Sequence, residues 1–225
     1  MIKIEKSNDP EGWKDVVNTD GRADYINIPE LRIARSALIR EQGYLCAYCM
    51  QRIKFDEEQN THNSKIEHII SRDDLGSHES YQDDPKREWR YENWALCCEG
   101  ITDGEEHCDT LKKGFSLSFD LYSDHLENSI SYGSKNGEIR SSNEVWNAEM
   151  TANSKGCLHL NQRLLMKNRF EALNGVRFFL DRRGWKKSNF EMLLQSTFRR
   201  NKDNKFQPYV GIIRWYMKRL LRQAS

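Results

Sequence analysis

The pattern of apolar and polar residues predicts an irregular start followed by a helix that leads into a cysteine-rich stretch. Residues 1–28 contain turn signals and no sustained apolar period, which predicts an irregular lead-in. From Pro29, which is tolerated in the first turn of a helix, apolar residues fall on one face at helical spacing as far as Gly43. We therefore predict a helix from about Pro29 to Gly43, directly before Cys46.

The apolar runs of the next segment are short and predict strands, loops and one brief helix. β-branched and aromatic residues favour strands, and Gly is a natural residue just past the end of a helix. The predicted elements are a loop at 56–63, strands at 66–70 and 94–97, an exposed loop at 71–90, and a helix at 107–113 ending at Gly114.

Long amphipathic periods dominate the last third of the chain. Two strands, at 126–132 and 137–141, are predicted around an Asn136-Gly137 turn, and Asn143 is suited to cap a short helix. Three helices follow, at 160–184, 190–198 and about 209–221, with Trp185, Phe190, Trp215 and Tyr216 interpreted as core residues.

These elements predict an α+β fold, built as a small ββα metal-binding unit with a helical C-terminal extension. The predicted divisions are residues 1–43 as lead-in and helix, 44–115 as the metal-binding core, and 116–225 as a hairpin and basic helical region. The chain has 225 residues, 37% of them hydrophobic and 31% charged, which excludes a fibrous or disordered protein. No apolar run approaches the roughly 20 residues of a membrane span, and the N-terminus lacks the apolar core of a signal peptide. We therefore expect a cytoplasmic protein with reduced thiols.

The net charge of +1 conceals a strong asymmetry between the two parts of the chain. Residues 155–225 carry 17 Lys and Arg against 4 Asp and Glu, whereas residues 1–154 carry 18 against 30. A phosphate backbone or an acidic protein partner would bind such a basic third. Long helices that simply expose Lys and Arg to solvent are the alternative interpretation.

Five of the six cysteines lie between residues 46 and 108, a density that predicts a structural zinc site. The predicted ligands are Cys46, Cys49, Cys98 and Cys108. Cys97 and His107 are neighbours that could substitute in the second pair. A redox-active Cys-x2-Cys is less favoured because no thioredoxin-like βαβ pattern surrounds it. Unligated buried cysteines are the remaining alternative.

Three further residues between the cysteines predict a second, catalytic metal site. Glu67 and His68 are adjacent on a predicted strand, so that one can ligate a metal while the other faces a water molecule. Asp109, just inside the predicted helix, supplies a second hard oxygen ligand. Two carboxylates suit Mg²⁺ or Mn²⁺, and His68 can take a proton near neutral pH. Taken alone, each of these residues is more often ordinary surface.

The order Cys-x2-Cys, Glu-His, Asn, Cys, Cys-Asp-x2-Lys resembles the HNH endonucleases, or ββα-metal nucleases, in their cysteine-bracketed form. The resemblance implies that Glu67 and Asp109 bind the catalytic metal and that His68 is the general base. It also implies that Asn93 orients the loop, and it matches Lys112 to a lysine that often follows on the helix. Asp109 stands where His or Asn is commoner in the family.

Within that family, residues 28–115 resemble the HNH subunit of Septu anti-phage defence systems and related retron effectors. This resemblance implies a nuclease controlled by an ABC/SMC-type ATPase subunit in a hetero-oligomer, with DNA or tRNA as the substrate. The nine residues between Cys98 and Cys108, instead of two, depart from the broader HNH pattern. The alternative from another class is a zinc-ribbon module that binds nucleic acid or a partner without cutting.

Overall fold

The computed structural model describes residues 1–13, 31–56, 59, 61–71 and 89–224. Within them the chain has a mixed α+β fold. The helices are α1 (Leu31–Glu41), α2 (Cys108–Lys112), α3 (Asp124–Ser129), α4 (Glu144–Thr151), α5 (Arg163–Arg183), α6 (Lys187–Ser196) and α7 (Val210–Gln223). The strands are β1 (Phe55–Asp56), β2 (Thr61–His62), β3 (Ser64–His68), β4 (Trp94–Cys98), β5 (Ile101–Thr102), β6 (Glu105–Glu106), β7 (Ile130–Tyr132) and β8 (Ile139–Ser141).

The strands pair in sequence order as four two-stranded antiparallel sheets among these residues. The β3–β4 pair is the one that organises the site, with a register that runs from Ser64 opposite Cys98 to His68 opposite Trp94. All five residues of β4 are buried, because both α1 and α2 pack against this strand. The order of elements around β4 is therefore two antiparallel strands followed by a short helix.

Residues 45–52 form a tight turn, called here the knuckle, that carries the first two cysteines. Leu45 and Arg52 close it with an isolated antiparallel bridge, and the amide of Ala47 donates to the carbonyl of Leu96 at 3.0 Å. The knuckle is thereby fixed against the free edge of β4.

The nine residues between Cys98 and Cys108 fold into the β5–β6 hairpin. The amide of His107 donates to the carbonyl of Gly100 at 2.8 Å and closes the base of the hairpin. Gly100 has φ +74°, and a Cβ there would lie 2.3 Å from Thr110 Oγ1. The insertion thus returns the chain to β4, and the close approach at its base requires glycine.

The C-terminal helices share one core with the rest of the chain. A single cluster of buried apolar residues extends from Met1 to Met217. The buried face of α5 is formed by Leu165, Arg169, Leu173, Val176 and Leu180. Glu127 of α3 pairs with Arg214 and Lys218 of α7 at 2.7 and 2.9 Å, and we call this set the Glu127 ion-pair network.

The structure confirms the mixed α+β class and most of the predicted elements. Asn143 caps α4, because its side chain accepts a hydrogen bond from the amide of Trp146, and α5 ends at Gly184 with φ +97°. The predicted helix start near Pro29 and most of the predicted loop at 71–90 lie outside the described residues. Helix α1 begins, within them, at Leu31.

Three predictions about local structure are wrong. Thr61 and His62, which were predicted to lie in a loop at 56–63, form β2 and pair with β1. Residues 126–129 belong to helix α3 rather than to a strand, because Ser123 caps the helix and Asp124 and Glu127 place acidic charge in its first turn. Helix α2 ends at Lys112, and the left-handed residue beyond it is Lys113, at φ +57°, instead of Gly114.

Candidate functional site

Four buried cysteines converge at the junction of the knuckle, β4 and α2. The Sγ atoms of Cys46, Cys49, Cys98 and Cys108 all lie within 4.8 Å of one another. Cys46 and Cys108 are 3.9 Å apart, and Cys49 and Cys98 are 3.8 Å apart. Four sulfurs bound tetrahedrally to zinc at about 2.3 Å lie about 3.8 Å from one another. These four residues, called here the cysteine cluster, are positioned to bind a metal ion and are compatible with a structural zinc.

The electrostatics of the cysteine cluster also favour a cation. Burial raises the pKa of the Cys46 thiol, but hydrogen bonds from Cys108 and the other cysteines outweigh it and hold that pKa well below its ordinary value. Burial raises the pKa values of Cys49 and Cys108. Four thiols packed this closely away from solvent can all be ionised only when a cation lies among them.

The two alternative ligands of the second pair lie beside the cluster. His107 is fully buried, with Nδ1 3.1 Å from the sulfur of Cys108 and Nε2 2.7 Å from Thr102 Oγ1. Cys97 and Cys98 are consecutive on β4, so their side chains point to opposite faces of the sheet. Cys98 belongs to the cluster. Cys97 lies on the other face of the β3–β4 sheet, which also carries the side chains of Lys65 and Glu67.

A pocket of about 420 Å³ opens beside β3 and α2. Glu67, His68, Asp109 and Lys112, all singled out from the sequence, line this pocket, as do Lys65 and Lys113. We call it the Glu67 pocket. The sequence therefore identified a set of residues that the fold brings to one surface, although Glu67 and Asp109 are 42 positions apart in the chain.

Glu67 is a buried carboxylate that is held by two donors. Its side chain is 3% exposed, and Oε1 accepts a hydrogen bond from the Tyr48 hydroxyl at 2.8 Å. Lys112 Nζ lies 2.8 Å from the same oxygen, and it also donates to the carbonyl of Phe115 at 2.6 Å. The contacts from Tyr48 and Lys112 are therefore both made to Oε1 of Glu67 and not to Oε2.

The pKa of the Glu67 carboxyl is raised well above its ordinary value. Burial is the largest cause, Lys112 opposes it, and the nearby Asp109 carboxylate raises the pKa further. Two carboxylates in close contact repel each other unless a proton or a cation lies between them. Their donor chemistry suits a hard divalent cation.

His68 and Asn93 shape the end of β3. His68 is buried at the edge of the Glu67 pocket, and its ring meets Trp94 edge-on at a centroid distance of 5.9 Å. The Asn93 side chain accepts from the amide of Ile70 at 2.8 Å and donates to its carbonyl at 3.1 Å. Asn93 also accepts from the amide of Ile69 at 2.9 Å through its own carbonyl. Asn93 thus braces the segment that follows His68.

Two residues that the sequence did not single out hold the site together. Tyr48 contacts Glu67, and Gln42 links the end of α1 to Leu45 and Leu96. The position of Tyr48 between two predicted zinc ligands is the one local signal that could have identified it. Gln42 offers no such signal.

The basic C-terminal region exposes aromatic side chains as well as charge. Phe178 is 61% exposed and lies 5.3 Å from the Arg182 guanidinium. Trp185 is 47% exposed, so its interpretation as a core residue is wrong, whereas Phe190 and Tyr216 are buried. Phe178, Arg182 and Arg183 line one surface of α5, which we call the α5 basic face.

No protein-family model and no curated protein matches this chain. None of the helices among the described residues is long and apolar enough to cross a lipid bilayer.

Proposed function

We propose that this protein is a metal-dependent HNH endonuclease that hydrolyses phosphodiester bonds of nucleic acid. The observation that carries the proposal is the shared Glu67 pocket: two acids, a histidine and a buried lysine meet beside a four-cysteine cluster. The order of β3, β4 and α2 supports a ββα-metal unit, with Glu67 and His68 at the end of the first strand and Asp109 at the start of the helix.

In this proposal, Glu67 and Asp109 hold Mg²⁺ or Mn²⁺, and the cysteine cluster holds zinc. The divalent ion supplies Lewis-acid stabilisation of the charge that develops on the phosphate and the leaving oxygen. His68 takes a proton from the attacking water, since an imidazole titrates close to neutral pH. Asn93 fixes the backbone that follows His68, and Lys112 fixes Oε1 of Glu67.

The partner and the substrate belong to the same proposal. An ABC/SMC-type ATPase would control the nuclease in an anti-phage complex, and DNA or tRNA would be cut. The α5 basic face supports a phosphate-binding role, because guanidinium groups beside exposed aromatic rings can contact both phosphates and bases.

The test uses the zinc-replete chain, alone and with such an ATPase, incubated with plasmid, linear DNA and tRNA in Mg²⁺ or Mn²⁺. Cleavage by the wild type should fall about 10²- to 10⁴-fold in His68→Ala, as expected when a general base is removed. His125→Ala, which removes an exposed histidine of α3, is the matched control and should cut normally. Unchanged cleavage by His68→Ala would refute the assignment of the base.

The second candidate is a zinc-ribbon module that binds nucleic acid or a partner without cutting. One observation favours it: Lys112 already neutralises Glu67 in a closed, buried ion pair. In that case the zinc-replete chain should bind nucleic acid in buffer without Mg²⁺ or Mn²⁺, no substrate should be cut when either ion is added, and Asp109→Asn should leave binding unchanged.

A further inference from the structure

Tyr48 connects the cysteine cluster to the Glu67 pocket. It lies in the knuckle between Cys46 and Cys49, and its side chain is 2% exposed. Its hydroxyl donates to Glu67 Oε1 at 2.8 Å, which joins residues 19 positions apart in sequence. Cys49 directly follows Tyr48 and Cys46 lies two positions before it, so a shift of these two thiols would also shift the Tyr48 ring.

The other side of Glu67 is tied to the cysteine cluster as well. Lys112, the second donor to Oε1, lies on α2, and that helix begins at Cys108. Asp109 directly follows this cysteine. Therefore both groups that hold Oε1, and the neighbouring carboxylate, stand on elements that the cluster draws together.

We propose that Tyr48 is a positioning residue that transmits the geometry of the cysteine cluster to Glu67, and that it thereby sets the affinity of the Glu67 pocket for a divalent cation. The inference rests on the proposed function, because it takes Glu67 to be a ligand of the catalytic ion. With Oε1 fixed by two donors, the carboxylate presents Oε2 in one orientation.

The expected effect is moderate because one of the two donors remains. Loss of a hydrogen-bonding partner of a metal ligand typically weakens binding about 10- to 100-fold. In Tyr48→Phe, Lys112 still contacts Oε1, so we expect the lower end, about 10-fold. The phenol ring stays in place and the knuckle should keep its zinc.

Tyr209→Phe is the matched control. Tyr209 is also buried, and its amide donates to the carbonyl of Met50 in the knuckle at 3.0 Å. Its hydroxyl accepts a hydrogen bond from Asn168 of α5 at 3.1 Å. The variant therefore removes one hydroxyl and one hydrogen bond from a tyrosine beside the knuckle without altering Glu67.

The experiment measures Mn²⁺ affinity by electron paramagnetic resonance, zinc content by elemental analysis, and cleavage as a function of Mn²⁺ concentration, on the full chain. Tyr48→Phe should keep zinc, bind Mn²⁺ about 10-fold more weakly and need correspondingly more Mn²⁺ for half-maximal cleavage. Tyr209→Phe should match the wild type, and Glu67→Gln should mark the loss of the ligand itself.

Equal Mn²⁺ affinity in wild type and Tyr48→Phe would overturn the positioning role and leave the nuclease proposal intact. Loss of zinc from Tyr48→Phe would overturn it too, since the residue would then only support the knuckle. A wild type that binds Mn²⁺ but cuts nothing, alone or with the ATPase, would refute the nuclease, while the affinity ratio would still decide the role of Tyr48. No Mn²⁺ binding by the wild type would refute both.

Discussion

Replacing Gln42 by leucine should destabilise the whole site, although the side-chain hydrogen bonds of Gln42 go to Leu45 and Leu96 and not to a cysteine or a pocket acid. The residue follows α1 and is 5% exposed. Its amide nitrogen donates to the carbonyls of Leu45 and Leu96 at 2.8 Å each, and its oxygen accepts from the amide of Leu96 at 2.7 Å. The side-chain amide therefore forms the hydrogen bonds that a backbone peptide group would form, and it links the knuckle to the free edge of β4.

The magnitude follows from the groups that Gln42→Leu leaves unpaired. The Leu96 carbonyl keeps the amide of Ala47 as a donor at 3.0 Å, whereas the Leu96 amide and the Leu45 carbonyl lose the partner supplied by Gln42. An unsatisfied buried polar group costs about 1–3 kcal/mol. Two such groups, partly offset by the apolar contacts of leucine, give a net loss of about 3 kcal/mol. That is a large part of the roughly 5–15 kcal/mol that stabilises a typical domain.

Urea unfolding at a fixed concentration of free zinc measures this loss. With a slope of about 2–3 kcal/mol per molar urea, the midpoint of Gln42→Leu should fall by roughly 1–1.5 M. Gln195→Leu makes the same chemical change at an exposed position of α6 and should leave the midpoint unchanged. If Gln42→Leu unfolded at the wild-type midpoint, the reasoning that the amide bridges the knuckle and β4 would be refuted.

Three further predictions address the metal, the pH dependence and the basic region. Cys49→Ser should become insoluble and should contain no zinc when measured by elemental analysis. Cys157 is half-buried and lies outside the cysteine cluster, so Cys157→Ser should behave as wild type. A folded, zinc-replete Cys49→Ser would contradict the structural role of the zinc. Burial raises the pKa of Glu127, but its ion pairs with α7 outweigh this and hold the pKa below its ordinary value. The network should therefore stabilise the fold fully above the unfolded-state pKa of about 4.3 and lose its contribution as pH falls through the lowered folded value. Glu127→Gln should accordingly lower the free energy of unfolding by about 1–2 kcal/mol at pH 7, and the difference from wild type should close below about pH 4; a difference independent of pH would contradict the assignment. Arg182→Glu with Arg183→Glu should weaken nucleic-acid binding and flatten its salt dependence in fluorescence anisotropy, and an unchanged salt slope would instead favour docking on a partner.

The sequence was informative where structure depends on local periodicity. The amphipathic period of α5 identifies that helix, because its buried residues recur every three or four positions. The β-branched residues Ile66, Ile69 and Ile70 located β3 only approximately, since the strand covers Ser64–His68 and Ile69 and Ile70 follow it. The choice of Cys98 over Cys97 lies beyond that information. It depends on which of two adjacent side chains, on opposite faces of β4, meets the knuckle cysteines, and the contact between Cys49 and Cys98 appears only in the folded chain.

The contacts that hold the site together were out of reach of the sequence because they join distant residues. Gln42 meets Leu96 across 54 positions, and Tyr48 meets Glu67 across 19. No periodicity or spacing in the sequence predicts that Gln42 or Tyr48 forms these contacts. Trp185 shows the converse error, since an aromatic residue next to a helix end was assigned to the core and instead lies 47% exposed.

The burial of Lys112 and Glu67 is difficult to explain by stability alone. Their side chains are 1% and 3% exposed, and withdrawing two charges from water can cost more than their mutual attraction returns. Apolar residues of similar volume at such a pair are often neutral or stabilising by about 1–4 kcal/mol. The fold nevertheless places a second acid, Asp109, against the pair, which raises the pKa of Glu67 further instead of relieving it. The proposed function accounts for this arrangement, because a divalent cation between the two carboxylates would compensate their charges.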